Sequence, residues 1–108
     1  EYLSEIENVI EEFKRELPEA YAARDDFNDR VYESGALSTR IKRLMALSTA
    51  LRIGCPGCIT YQTKLAVEAG ATKDEIVEAA AVATSMGGTS TSSWLWILVK
   101  IMKELGKW

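Results

Sequence analysis

Six stretches of this chain carry apolar residues three and four positions apart, and none alternates apolar with polar residues over the length of a strand. That periodicity restricts the fold to packed helices. Pro18, Ser34-Gly35, Gly54, Gly70 and Gly87-Gly88 mark the boundaries. The first stretch has Ser4 and Glu7 at capping-box spacing, and an apolar face of Ile6, Val9, Ile10, Phe13 and Leu17. Pro18 ends it or opens the second, which runs to about Glu33 with Tyr21, Phe27 and Val31 facing inward. Ser38 caps the third. From Ile41 to Ile53 that stretch is apolar around most of its circumference, as a central helix must be. Gly54 suits its C-terminal cap. The fourth opens at Cys55-Pro56 and runs to about Ala69. Thr72 and Glu75 repeat the capping-box spacing before the fifth, whose Ala79, Ala80, Ala81 and Ala83 allow close approach of a neighbour. Ser and Thr residues from Thr89 to Ser93 lead into the last helix, where Trp94 and Trp96 must point to different faces. One of them meets the core and the other fills a subunit interface. The reading is an all-α, single-domain bundle of about six helices over residues 1–108.

Several function classes fall away on composition. A net charge of -3 argues against a nucleic-acid partner. Lys42, Arg43 and Arg52 form a basic cluster, which reads as a solvated face, as do Asp25, Asp26, Asp29 and Glu33. No apolar run approaches the ~20 residues of a membrane span. No signal-peptide pattern is visible, so the expectation is a cytoplasmic protein without membrane contact. The sequence has no histidine, which removes the commonest zinc ligand and the commonest acid–base group. Two cysteines cannot complete a four-ligand zinc site within one chain, and Gly87-Gly88 is no nucleotide-binding loop. No metal and no cofactor are expected. A chain of 108 residues can bury a core, and gains further burial by forming a homo-oligomer.

The chemistry concentrates at Cys55-Pro56-Gly57-Cys58, where one helical pattern gives way to the next. In a chain without secretory signals, this spacing favours redox chemistry over a structural staple. The first turn of a helix presents unpaired N–H groups and partial positive charge, which stabilise a thiolate by ~0.3–2 kcal/mol. A free thiol titrates near ~8.5, so a nearby cation would be needed to make the thiolate dominant at neutral pH. Residues three apart on a helix have Cβ atoms ~5–6 Å apart, and a first turn can relax to the ~3.5–4.5 Å of a disulfide. Pro56 restricts the loosening of the reduced form. The plain alternative is a pair of small buried residues in an apolar helix. Tyr61, three residues on, could donate a hydrogen bond to sulfur or substrate, although a core tyrosine is the commoner case.

The ordered set Leu44-Met45-Ala46-Leu47, Gly54-Cys55-Pro56-Gly57-Cys58-Ile59, Ala69-Gly70-Ala71-Thr72-Lys73-Asp74-Glu75-Ile76 and Met86-Gly87-Gly88 resembles the carboxymuconolactone decarboxylase superfamily, in particular its alkylhydroperoxidase D-like branch. The match spans about residues 38–93. The resemblance implies a helical hairpin core carrying the dithiol, and assembly into a trimer or hexamer. It also implies that Cys55 and Cys58 reduce a small hydroperoxide or pass electrons to a partner peroxidase. The branch carries a Glu twelve residues before the first Cys and a His four after the second. Here those positions are Arg43 and Gln62. Arg43 cannot serve as a base, though its charge can stabilise a thiolate; Gln62 can hydrogen-bond but cannot shuttle a proton. Equally, Arg43 can simply point to solvent.

The leading expectation is therefore a thiol–disulfide oxidoreductase with weak intrinsic peroxidase activity. Helix position favours Cys55 as the stabilised thiolate, and the resemblance favours Cys58 as the exposed one. Its rivals are a decarboxylase-like enzyme on a small lactone or keto acid, and a non-catalytic member that keeps only the fold.

Overall fold

The computed structural model describes residues 2–108, and the side chains from Ser4 onward. Every regular element among them is helical. They are α1 (Tyr2–Glu16), α2 (Pro18–Val31), α3 (Thr39–Ile53), α4 (Pro56–Glu68), α5 (Lys73–Gly87), the single turn α6 (Thr89–Ser92) and α7 (Leu95–Glu104). Six of these correspond to the six periodic stretches. The seventh, α6, folds the Ser/Thr stretch that sequence reading treats as a connector. No described helix is long and apolar enough to cross a membrane.

The chain divides into two compact units, one ending at Ser34 and the other running from Gly35 to Trp108. In the first, α1 and α2 form a helical hairpin. Phe13 and Tyr21 meet edge to face at 6.2 Å, and the Lys14 ammonium lies 3.2 Å from the Asp25 carboxylate. Pro18 takes the first position of α2, where its missing N–H costs nothing. Two local expectations fail here. Ser4 is no cap, because α1 already starts at Tyr2. The helical spacing of Leu3, Ile6 and Ile10 carries the pattern one turn further back than a cap at Ser4 allows. Phe27 and Val31 do not face inward; they are 67% and 41% exposed, and α2 buries no residue. A two-helix hairpin has one seam, and Tyr21 takes it while Phe27 and Val31 lie off it.

The second unit holds the core. Leu47 and Leu51 of α3, Ile59 of α4, Ile76 of α5 and Met102 of α7 are fully buried, each contributing ~1.5–3 kcal/mol by leaving water. Helix α3 is central, packed against both α4 and α5, while α4 also meets α7. Ser38 caps α3, its Oγ accepting the Ile41 N–H at 3.2 Å. Ala80 and Ala83 are buried, so the small side chains of α5 do bring it close to its neighbours. Of the two tryptophans, Trp94 packs on the core, while Trp96 is 60% exposed.

Thr72 and Glu75 form the capping box of α5. Thr72 Oγ1 accepts the Glu75 N–H at 3.1 Å, and Glu75 Oε1 accepts the Thr72 N–H at 2.9 Å. The other Glu75 oxygen meets the Arg40 guanidinium, tying the start of α5 to the start of α3. The Thr72 N–H above all holds the Glu75 carboxyl below its usual range; burial opposes it, and the Arg40 charge adds to the lowering. A depressed folded-state pKa gives stability that is complete above the unfolded value of ~4.3 and is lost as pH falls through the lower folded value. Glu75→Gln keeps an oxygen for the Thr72 N–H but removes the charge. Its melting temperature is expected below wild type at pH 7, with the gap closing below about pH 4. A gap that persists unchanged into acid would contradict the pairing.

Candidate functional site

The turn between α3 and α4 builds the site. Gly54 adopts φ +76, the left-handed conformation that ends helices, and its N–H donates to Ala50 O at 3.0 Å. The Cys55 N–H returns to the same carbonyl at 3.2 Å, reversing the chain in two residues. Leu51 before the turn and Ile59 after it are fully buried and pin both arms of the hairpin to the core. Above Gly54 lies the Trp94 indole, whose Nε1 would stand 2.7 Å from any Cβ at that position. Glycine is thus required twice, by the backbone and by the ring.

Cys55 is the N-cap of α4, and Pro56 opens the helix. The Cys55 and Cys58 sulfurs are joined as a disulfide, with Cα atoms 5.2 Å apart. The Cys55 Sγ also accepts the Cys58 N–H at 3.2 Å, so one unpaired amide of the helix start points at it. The two sulfurs differ in access, with Cys58 exposed and Cys55 half-buried. An incoming group meets Cys58 first.

One helical turn beyond Cys58 stands Gln62. Its Oε1 accepts a hydrogen bond from Arg43 Nη1 at 3.2 Å, bridging α4 to α3. The structure thus pairs the two residues that occupy the expected acid–base positions. The pair holds a fixed cation and a neutral amide, and neither can exchange a proton near neutral pH. Arg43 is half-buried and hydrogen-bonded to Gln62. Tyr61 is half-buried, an intermediate between the core residue and the open donor.

Two contacts near the site have no local sequence signal. The first is Trp94 over Gly54. The second is at Gly87, where a Cβ would stand 1.8 Å from Thr91 Oγ1 and 2.8 Å from Arg52 Cδ. Arg52 follows the buried Leu51 near the end of α3, and the missing side chain at Gly87 leaves room for its aliphatic stem. In sequence the Gly87-Gly88 pair reads as a helix break, with no sign of Thr91 or Arg52 packing against it.

The sequence pattern of the carboxymuconolactone decarboxylase family matches residues 18–100. The chain belongs to that family. A family protein from Legionella pneumophila has the same fold, with TM-score 0.89 and 27% identity over 94% of this chain and 90% of that one. A second, from Thermotoga maritima, has TM-score 0.84 and 27% identity over 97% of this chain and 90% of that one. The Thermotoga protein is described with a suggested part in an antioxidative response. An uncharacterised protein of Cupriavidus necator is 28% identical over 86 residues, 80% of this chain and 76% of that protein. These likenesses establish family and fold for the helical hairpin carrying Cys55 and Cys58.

Proposed function

We propose that this family member is a thiol–disulfide oxidoreductase of the alkylhydroperoxidase D-like type, cycling Cys55 and Cys58 between dithiol and disulfide. The observation that carries the reading is the unequal placement of two bonded sulfurs at the start of α4. Cys58 is open to attack, while Cys55 sits under the Cys58 N–H, where a leaving thiolate is stabilised. In reduction, an incoming thiolate attacks Cys58 Sγ, the Cys58–Cys55 bond breaks, and Cys55 leaves as thiolate. Against a peroxide, the Cys58 thiolate attacks oxygen and the O–O bond breaks to release alcohol or water. Cys55 then displaces hydroxide from the sulfenic acid and restores the disulfide.

That peroxide step needs a proton delivered to the departing oxygen. The Arg43–Gln62 pair cannot deliver one, so disulfide exchange is favoured over direct peroxide turnover. Passing electrons to a partner peroxidase suits such a site better than acting as the peroxidase itself. The same pair offers no acid–base couple to a decarboxylase. The antioxidative role suggested for the Thermotoga relative points the same way. A homo-oligomer, trimer or hexamer, belongs to this reading. It is supported by the exposure of Ile53, Val82, Met86 and Trp96, at 60–75%, and is read by sedimentation of the purified chain.

The reduction potential of the pair tests the reading. A value between about -270 and -120 mV is expected, the range of cycling dithiols. A value well below about -300 mV would mark a structural bridge and overturn it.

A further inference from the structure

The two cysteines sit on backbones of unequal firmness. Cys58 lies within the first turn of α4, where Thr60 Oγ1 donates to Pro56 O at 2.9 Å and the next residue, Ile59, is fully buried. Cys55 lies outside that turn. As the N-cap it keeps one helical bond, from the Ile59 N–H to its own carbonyl at 2.9 Å, and on its amino side it joins Gly54. Glycine has more backbone freedom than any other residue, and helix ends fray. Once the S–S bond is broken, rotation about Gly54 is the motion that would carry Cys55 away from Cys58.

The Trp94 indole stands against that motion. Its pyrrole edge faces Gly54, with Nε1, Cε2 and Cδ1 at 2.7, 3.3 and 3.4 Å from the place a Cβ would take. The ring is itself firmly carried. The Trp94 N–H donates to Thr91 O at 3.0 Å, and Thr91 is fully buried against Gly87. The Trp94 carbonyl accepts the Ile97 N–H at 3.1 Å, and Ile97 and Leu98 are buried in α7. Trp94 also packs on the core, so a separate part of the bundle presses one aromatic edge onto the dithiol turn. Beneath that edge the Gly54 and Cys55 N–H groups both donate to Ala50 O, the two bonds that fix Cys55 at the start of α4.

Resting on the dithiol–disulfide cycle proposed above, we infer that Trp94 is a positioning residue of that cycle. It holds the Gly54 turn closed in the reduced protein, keeps the Cys55 thiol within reach of Cys58, and so sets how readily the disulfide re-forms. Trp94 takes part in no bond that is made or broken. When an incoming disulfide oxidises the pair, two electrons and two protons pass from Cys55 and Cys58 to it, and it departs as two thiols. Without the indole the reduced chain gains backbone states that the oxidised chain, closed by its own S–S bond, does not share. The equilibrium then moves toward the dithiol, and the reduction potential rises.

Equilibration of the full chain in glutathione redox buffers tests this, with the reduced fraction read by thiol alkylation and mass. Trp94→Leu, which keeps an apolar side chain on the core but removes the ring, is expected to weaken disulfide formation about tenfold, ~30 mV for a two-electron couple. Trp94→Phe restores a ring and is expected to fall within about threefold of wild type. Trp96→Leu, an exposed ring two residues on, is expected to change nothing. Hydrogen exchange of the reduced protein reads the turn itself. The Gly54 and Cys55 amides are expected to stay protected in wild type and to exchange about tenfold faster or more in Trp94→Leu. A Trp94→Leu protein that melts lower but keeps the wild-type equilibrium would show a merely structural ring and overturn the inference. So would Gly54 and Cys55 amides that exchange at free-chain rates in reduced wild type, a result that needs no variant to fold. A wild-type pair that no glutathione buffer reduces overturns the cycle beneath the inference.

Discussion

Cys58→Ser is expected to abolish thiol–disulfide exchange turnover, by roughly a thousandfold or more. No attacking thiolate can then form a mixed disulfide at the exposed position. Cys55→Ser is expected to behave differently. Its Cys58 thiolate still attacks the disulfide form of a small thiol and expels one thiolate, but no neighbouring sulfur remains to resolve the adduct, so a protein–thiol mixed disulfide accumulates. Intact-protein mass spectrometry reads that adduct, and turnover measured against a thiol-only blank reads the rate. The asymmetry follows from Cys58 being exposed while Cys55 is half-buried beneath the Cys58 N–H. Wild type and both variants turning over at one rate would remove the dithiol from the chemistry altogether. A reversed pattern, with the adduct on Cys55, would instead reverse the roles of the two sulfurs.

The second large effect is on stability. Gly87→Ala puts a Cβ 1.8 Å from Thr91 Oγ1 and 2.8 Å from Arg52 Cδ, deep inside contact distance. Thr91 is fully buried and cannot swing away freely, so the neighbours must shift together. A cost of ~1–3 kcal/mol is expected for overpacking of this kind. In thermal unfolding that is a fall of roughly 5–15 °C. Gly35→Ala is the control. A Cβ there meets nothing within 4 Å, and its backbone is not left-handed, so a change near zero is expected. Adding Thr91→Ala to Gly87→Ala removes the nearest clash and should recover part of the loss, a non-additivity expected of residues in contact. Gly87→Ala melting with Gly35→Ala would show that α6 does not pack on α5 as described.

What the sequence disclosed, it disclosed through local chemistry. Ser38, Gly54, Pro56 and the Thr72–Glu75 box each act within one turn of chain, and each is found in its expected place. The family resemblance marked Arg43 and Gln62. It could not show that the two side chains bond, because they stand nineteen residues apart on different helices. Burial fails in the same way. Phe27 has the composition of a core residue, yet whether a helix face is covered depends on partners its own segment does not name. The Trp94–Gly54 and Thr91–Gly87 contacts were illegible for a further reason. Each depends on a side chain missing at one position and supplied from another helix, and no periodicity records that.

The bond between Cys55 and Cys58 closes a loop of minimal length, three positions in sequence. Chain-entropy reasoning assigns such a loop about 2 kcal/mol, against about 3 for a fifteen-residue loop. The fully buried Leu51 and Ile59 anchor both arms of the hairpin whichever redox state the sulfurs occupy. Reduction therefore withdraws about 2 kcal/mol from the folded state, while the buried packing that holds both arms involves neither sulfur.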